Sequence, residues 1–331
     1  MQLVETGFRQ LTPYTSSFEA KATALCGIIE ALINRVTDQD CIELGRDKED
    51  LRVNDIAFLY NKKFRKDSGK HGVCWEYSIL EAVRQGNHTV LSLLNEAIAA
   101  CNPQESWEDE IDCVLWGGEK HGDVHRSALE ALGPEAKLWT PGRGRPIRLD
   151  RHLDTARSAF NQPSFRDFLP AGAADLWQTD LFVRKRSSTF WYAVSVKWNL
   201  EDLKRAAGVT IGIVRIRRNE SYFRPAWDDA REMVVCRVPY HYEFGEAFHT
   251  AFALADKCFS VLPRTYGDFE FTNTEDGALA DFMYNNRSSR AVDVLYKLRQ
   301  QFQDDAEETI VIPQGRPELI RLHAAPIIEL N

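Results

Sequence analysis

The sequence predicts an α/β protein with a mixed central sheet flanked by helices, and with helical N- and C-terminal extensions. Two observations predict this class. The first 133 residues carry mainly helical patterns, which return after residue 238, whereas the stretch between 175 and 238 alternates strand, turn and strand around one short helical pattern. Strands that pair both as a hairpin and across a helical connection build a mixed sheet covered by helices.

The predicted organisation has three parts. A helical N-terminal extension covers residues 1–70, a core covers 71–238, and a mainly helical C-terminal region covers 239–331. The chain of 331 residues is 44% hydrophobic and 27% charged, which is ordinary for a soluble globular protein able to bury a core. We therefore expect ordinary folded domains rather than a disordered or fibrous chain.

The N-terminus and the cysteines bear on where the protein works. No apolar run approaches the roughly eighteen residues of a membrane helix. The opening "MQLVETGFRQ" lacks a signal-peptide pattern, so neither membrane insertion nor secretion is expected. The seven cysteines are scattered and include no CxxC pair, which favours reduced thiols over a structural zinc site. Together these features predict a cytoplasmic location.

Helical patterns dominate the first part of the chain. Ser17 is a plausible N-cap for the first of them, residues 67–72 form a predicted loop, and Gly86 closes a later helix. A Gly-, Pro- and Arg-rich segment, 140–149, predicts a long exposed loop. The predicted helices are 17–36, 73–86, 88–101 and 124–133.

Strand patterns begin near residue 175. A hairpin with the turn "RKRSST" is followed by a short helix that ends at Gly208, then by two more apolar strands. The predicted strands are 180–183, 190–198, 209–218 and 232–238, and the predicted helices of this half are 200–208, 242–259 and 290–302.

The strand "FWYAVSVKW" carries an ammonium group inside an apolar run. Because side chains alternate between the faces of a strand, Ser195 and Lys197 share one face. With the turn centred on "RKRSST", Asp180 falls opposite Ala193 on that same face. A shift of two residues would set Asp180 opposite Ser195, and a shift of one would send it to the other face. The sequence leaves these registers open.

This arrangement has a definite chemistry. A carboxylate is a hard oxygen ligand that suits Mg²⁺ or Mn²⁺, and such an ion keeps several waters. A lysine beside the ion can hold the attacking water and offset the charge of a phosphorane. A buried ammonium also needs an anionic neighbour in any structural interpretation. Asp180 and Lys197 are therefore the central candidates.

An acid on one strand, a short turn and an acid-x-lysine on the next strand resemble the PD-(D/E)xK nuclease superfamily. The preceding "KHGVCWEYSILEAV" is similar to the opening helix of that superfamily, and the resemblance covers roughly residues 70–220. It implies a restriction-endonuclease-like core, with Glu76 as helix acid, Asp180 as metal-binding acid and Lys197 as catalytic lysine. The backbone carbonyl of Val196 would complete the metal ligands.

The chain departs from the superfamily pattern at one position. Ser195 stands where the pattern has Glu or Asp, so it joins the candidate site residues, although no G-x-S-x-G elbow marks it as a nucleophile. Glu76 is then expected to supply the second carboxylate. Glu81 is expected to face solvent, and Asp175 is a second candidate for the metal acid if the hairpin is longer.

Two other sequence motifs give little indication of a metal-binding or nucleotide-binding site. His121 and His125 lack the acid of a zinc-peptidase helix, and "GRGRP" lacks the lysine of a P-loop. The tryptophans near the site are expected to pack in the core, and one exposed ring could stack on a base. They are Trp75, Trp177, Trp191 and Trp198.

The net charge of −8 argues against a protein that coats nucleic acid, but local basic clusters remain compatible with a DNA-binding groove. The candidates for contacts to DNA phosphates are Arg184, Lys185, Arg186, Arg215, Arg217 and Arg218.

The predicted function is a Mg²⁺-dependent DNA endonuclease. The resemblance implies a place in bacterial restriction or anti-phage defence, acting as a homo-oligomer or beside an ATPase or helicase partner. Two alternatives stay open: a noncatalytic nucleic-acid-binding or assembly subunit on a degenerate nuclease scaffold, and an RNase on the same core.

Overall fold

The structure is a computed structural model, and it describes 13 segments of the chain. They are residues 8–10, 16–102, 110–116, 128, 131–133, 135–139, 146–173, 176–205, 208–221, 223–240, 244–262, 274–304 and 311–313. The described residues form two compact units, one drawn from 1–81 and 246–331 and the other from 82–245. The sequence analysis had placed its boundaries at 70/71 and 238/239 instead.

The described segments contain helices and strands in an α/β arrangement, as predicted. The helices are α1 (Ser16–Asn34), α2 (Asp38–Leu44), α3 (Val53–Lys62), α4 (Lys70–Arg84), α5 (His88–Cys101), α6 (Leu153–Asn161), α7 (Phe244–Val261), α8 (Thr274–Asn285) and α9 (Ala291–Asp304). The strands are β1 (Phe8–Gln10), β2 (Ile111–Leu115), β3 (Lys137–Trp139), β4 (Ile147–Arg148), β5 (Leu181–Lys185), β6 (Phe190–Lys197), β7 (Ile211–Arg215), β8 (Ala226–Asp228), β9 (Met233–Val238) and β10 (Val311–Pro313).

The first unit contains two helices, α2 and α3, that the sequence patterns did not predict. The Thr37 side chain accepts a bond from the Asp40 N–H, and Asp40 bonds back to the Thr37 N–H, so a capping box starts α2. The predicted loop 67–72 is also too long, because α4 begins at Lys70. α2 has only seven residues and little apolar periodicity, whereas α3 carries its buried Val53, Ile56, Ala57 and Tyr60 at helical spacing, a signal that was present in the sequence.

Helices α1 and α4 approach each other closely at Gly27. A Cβ added there would lie 2.4 Å from the Ser78 Cα and 2.5 Å from the Ser78 nitrogen. The Ser78 hydroxyl donates to the Ala24 carbonyl at 3.0 Å, which ties the two backbones together. Only glycine fits this contact.

Gly27→Ala is expected to lower the free energy of unfolding by about 3 kcal/mol, the upper end of the overpacking range, because rigid backbone must move. Gly72→Ala on α4 is the matched control: nothing lies within 4 Å of its added Cβ. It should stabilise by up to about 1 kcal/mol through helix propensity. Urea unfolding of both variants measures the difference, and equal stabilities would contradict this packing.

The second unit is built on a mixed eight-stranded sheet. Its main path runs β2-β5-β6-β7-β9-β8, and β3 with β4 is attached to β6. The β2–β5, β5–β6 and β9–β8 pairs are antiparallel, whereas β6–β7 and β7–β9 are parallel. One edge of β6 is shared, because β3 pairs with its first three residues and β7 with its last four.

Both faces of the sheet are covered. On one face, Phe182, Trp191 and Ala193 join an apolar cluster with Ala156 and Ala159 of α6. On the other face lie the contacts of α5, which packs against β9 and β8. β6 is buried on both faces over most of its length: Tyr192 and Val194 on one face are fully buried, and Trp191 and Ala193 on the other are 1% exposed.

The predicted helix 200–208 is wrong. Among its described residues, 200–205 and 208, only the 3₁₀ turn Leu200–Asp202 is helical. Leu203 is drawn onto the sheet, where it packs with Val209 and Val214. A nine-residue segment is too short to be a stable helix alone, so burial of Leu203 decides its conformation. Gly212 makes room for it, since an added Cβ would lie 2.7 Å from the Leu203 Cδ1.

The cysteines and the lengths of the helices bear on two of the predictions. All seven cysteines are free thiols, as expected. Within the described helices, none combines the length and the apolar character that crossing a bilayer requires. Of the predicted helix 124–133 the structure describes residues 128 and 131–133, and 128, 131 and 132 are helical; most of the predicted loop 140–149 lies outside the described residues.

Candidate active site

The β5–β6 hairpin fixes the position of Asp180. Leu181 pairs with Val194 and Phe182 with Ala193, which sets Asp180 opposite Ser195 at the start of β5. This is the second of the two registers that the sequence left open, offset by two residues from the first. The one-residue slip does not occur, so Asp180 lies on the same face as Ser195 and Lys197.

One oxygen of the Asp180 carboxylate gathers three donors. Its Oδ2 accepts the Val196 N–H at 2.6 Å and the Lys197 ammonium at 2.8 Å. The Ser195 hydroxyl donates to the same oxygen at 3.4 Å, a long and weak bond. The structure therefore brings together four of the predicted site residues.

The other oxygen of this carboxylate is differently placed. Among the described residues, no hydrogen bond reaches the Oδ1 of Asp180. The side chains of Asp180 and Lys197 are 12% and 26% exposed, so the pair is largely buried but reachable from solvent at its tip. An ionised acceptor with open lone pairs in such a place can take a ligand.

The backbone of Val196 faces the same way as Asp180. The N–H and C=O of one strand residue point to the same edge, and those of the next residue point to the opposite edge. The Val194 carbonyl accepts from the Asp180 N–H, and the Val196 N–H donates to its side chain. The Val196 carbonyl, a predicted metal ligand, is thus directed to the Asp180 edge of β6.

A lysine in a buried strand is explained by this pairing. Lys197 is the last residue of β6 and is partly exposed, and its ammonium forms an ion pair with the Asp180 carboxylate. A buried ammonium requires such an anionic partner. Each charge stabilises the other here, and the ammonium of Lys197 also keeps some contact with solvent because its side chain is 26% exposed.

The predicted second acid belongs to the other unit. Glu76 lies on α4 and is half-buried; its part in metal binding stays a prediction. Glu81 does not face solvent as predicted: it is fully buried and holds the Arg299 guanidinium through both carboxylate oxygens, at 2.6 and 2.8 Å. The position of Glu81 against a basic residue 218 positions away could not be read from α4 alone. Asp175 lies outside the described residues, as do His121 and His125.

The donor set suits a magnesium ion only in part. In the described stretches of the chain, no three His, Cys, Asp or Glu side chains come together as a metal site. Mg²⁺ needs few protein ligands, however, because waters complete its octahedral shell. The Asp180 Oδ1 and the Val196 carbonyl are two hard oxygen donors at one strand edge, which fits such an ion.

The basic residues of the hairpin turn differ in availability. Lys185 is 1% exposed and donates to the Asn95 side chain on α5, so its predicted contact to DNA is wrong. Strand alternation explains this, because Lys185 lies on the face that α5 covers. Arg184 is ion-paired with Asp112 at 3.1 Å and lies 4.5 Å from the centroid of the Trp191 ring.

Arg186 is the most exposed cation of this turn. Its side chain is 62% exposed and pairs with Glu110 and Asp112. Such surface pairs exchange readily for a phosphate, since each is worth little in water. Arg186 thus keeps its predicted role as a candidate.

The second basic cluster follows β7. The Arg215 guanidinium stacks on Trp198, 3.9 Å from the ring centroid, and burial together with the neighbouring Arg217 lowers the pKa of Arg215. Arg217 and Arg218 are exposed. Core packing explains the fully buried Trp75 and Trp191 rings, as expected.

Sequence reasoning missed Arg237. It pairs in register with Val214, which pairs with Lys197, so the three residues form one row across β6, β7 and β9 on the same face. The signal was present only as a strand-to-strand register, which a single strand pattern does not carry.

Comparison with protein families, with curated proteins and with solved structures finds no match to this chain.

Proposed function

We propose that the protein is a Mg²⁺- or Mn²⁺-dependent endonuclease that hydrolyses DNA phosphodiester bonds. The observation that carries the proposal is the Asp180 carboxylate, which is held through one oxygen by Lys197 and the Val196 N–H while its other oxygen accepts no bond from the described residues. The hairpin on which the resemblance depends is present, since β5 and β6 pair antiparallel, and β7 lies parallel to β6.

The proposed chemistry is in-line attack of water on phosphorus. A new P–O bond forms to the water oxygen as the bond to the leaving deoxyribose oxygen breaks. The attacking water gives one proton to solvent, and the leaving oxygen takes one proton from solvent. A bound Mg²⁺ would supply charge neutralisation and a more acidic water. Asp180 and the Val196 carbonyl would hold it.

Lys197 has the second role in this reaction. An ammonium group carries three N–H donors, so a bond to Asp180 is compatible with a further bond to a phosphate oxygen. Placed in a largely buried site, that charge stabilises the extra negative charge of the transition state more strongly than it would in water. Ser195 would help to position Asp180.

A noncatalytic role on the same scaffold is the second candidate. It is favoured by the lack of a three-residue metal cluster in the described part of the chain and by Ser195 at the strand position of an acid. In that case Asp180 and Lys197 would be only a structural ion pair.

Titration calorimetry with Mn²⁺, together with a plasmid-cleavage assay, tests the proposal. The native chain should bind the ion and cut, whereas Asp180→Asn should lose both; Asp167→Asn, an exposed acid of the same unit, is the control and should keep both. Asp180→Asn preserves size and can still accept the Val196 N–H, so the fold should persist. Ion binding that is the same in native protein and Asp180→Asn would leave the noncatalytic scaffold as the better assignment.

The same assay resolves the remaining choices. A structured RNA cut in preference to DNA would make the protein an RNase on this core. Glu76→Gln measures whether the helix acid contributes to ion binding. The role in restriction or anti-phage defence, and a homo-oligomer or an ATPase or helicase partner, are part of the proposal through the resemblance alone.

A further inference from the structure

The carboxyl ends of the parallel strands carry a cation beyond the proposed site. Arg237 shares the row and the face of Lys197, two strand spacings away, which is about 10 Å. No ion pair joins Arg237 to an acid among the described residues. Ligands of α/β sheets bind at the carboxyl ends of parallel strands, so a cation there is well placed for an anionic ligand.

An exposed aromatic ring lies against this arginine. Phe223 is 58% exposed, and the Arg237 guanidinium lies 5.7 Å from its ring centroid. Exposing this much of an apolar ring to water is unfavourable in free energy, and a ligand that covers the open face of the ring would remove that unfavourable contribution. The guanidinium behind the ring fixes its position and leaves a π-face for stacking.

The surrounding segment is strongly basic. Residues 215–227 contain four arginines and one acid, Glu220, in a chain whose net charge is −8. Arg217 lies 4.0 Å from Glu220, at the limit of an ion pair, and Arg224 is exposed. This local excess of positive charge, beside an exposed ring, is complementary to a polyanion with planar groups.

We propose that residues 215–221 and 223–227, together with Arg237, bind unpaired DNA, with a base stacked on Phe223 and a phosphate on Arg237. This inference rests on the proposed nuclease function and names its substrate class: DNA that is single-stranded next to the cleaved bond. Stacked bases of a duplex do not offer a face to Phe223, whereas every base of a single strand does.

Fluorescence anisotropy with labelled oligo(dT) and a blunt duplex, in EDTA so that no cleavage occurs, tests the proposal. Phe223→Ala should weaken oligo(dT) binding about tenfold, within the range of one base–aromatic stack, and should leave duplex binding unchanged. Arg237→Gln should reduce the slope of log K against log salt by about 0.7, the value for one phosphate contact on a single strand.

The control has the same local chemistry in the other unit. Phe58 on α3 is 44% exposed, and Lys62 lies 6.0 Å from its ring centroid. Phe58→Ala should bind oligo(dT) like the native chain. If Phe223→Ala also binds oligo(dT) like the native chain, or weakens both DNA forms equally, the stacking role is overturned.

The two proposals fail separately. A chain that cuts DNA but shows no effect of Phe223→Ala retains the nuclease function without this substrate site. Loss of oligo(dT) binding in Phe223→Ala, together with no cleavage under any divalent ion, would support the DNA site and remove the nuclease. Absence of oligo(dT) binding by the native chain overturns the inference in favour of a different anionic partner.

Discussion

Replacing Lys197 with methionine is expected to lower the rate of Mg²⁺-dependent DNA cleavage by about 10²–10⁴-fold, the usual contribution of a positioned proton-transfer or charge-stabilising group. The ammonium at 2.8 Å from the Asp180 Oδ2 is the cation nearest to the proposed metal ligand among the contacts of that carboxylate. Methionine keeps most of the unbranched apolar stem of lysine and removes the ammonium with its charge and its N–H donors. Single-turnover cleavage measures the rate without interference from product release.

The fold should survive this change. Asp180 keeps the Val196 N–H at 2.6 Å, so its buried oxygen is not left without a donor. Circular dichroism should therefore match that of the native chain. Lys204→Met, an exposed lysine beyond the 3₁₀ turn, is the matched control and should cut normally. A Lys197→Met protein that is folded and cuts at the native rate would show that the lysine has no catalytic part.

Replacing Arg299 with methionine should reduce the free energy of unfolding by about 3 kcal/mol, the lower end of the cost of breaking a buried ion pair. Arg299 on α9 bonds Glu81 through two nitrogens and Glu30 through one, which joins α9 to α4 and α1. Without the guanidinium, the fully buried Glu81 would lose the cation that is bonded to both of its carboxylate oxygens. The lower end is appropriate because the Arg299 side chain is 34% exposed.

A second substitution separates charge from packing. Glu81→Gln combined with Arg299→Met removes the stranded carboxylate, so much of the lost stability should return. Arg290→Met is the control: its side chain is 52% exposed in a pair with Asp293, and such pairs are worth about 0–1 kcal/mol. Urea unfolding compares the three proteins. A double variant no more stable than Arg299→Met alone would contradict the buried-charge explanation.

The fold class could be predicted because its determinants are local. The hairpin strands and the helices at both ends follow from apolar periodicity, and the structure confirms them. The prediction of a helix at 200–208 is wrong because Leu203 packs on the sheet beside Gly212. This contact joins two separate elements, so the apolar periodicity of one segment does not reveal it. Tertiary burial overrides propensity in segments this short.

The site could be predicted to the level of residue type and face, but not of register. Alternation placed Ser195 and Lys197 together, yet only the observed pairing of Leu181 with Val194 selects the offset of Asp180. The burial of Lys185 and of Glu81 depends on partners that lie on helices distant in sequence: Asn95 for Lys185, and Arg299 for Glu81. Each residue looked polar and solvent-facing within its own element, and each is buried against a group supplied from elsewhere.

The shared edge of β6 has a consequence for the fidelity of this arrangement. β3 pairs with the first part of this edge and β7 with the second, and the Thr210 hydroxyl donates to the Trp139 carbonyl where the two meet. Because β5 pairs with the opposite edge, β6 is hydrogen-bonded to three strands. Sliding it by a single position would break all three ladders together. The three ladders therefore fix the register that places the carboxylate of residue 180 beside the amine of residue 197, and this holds independently of any ligand.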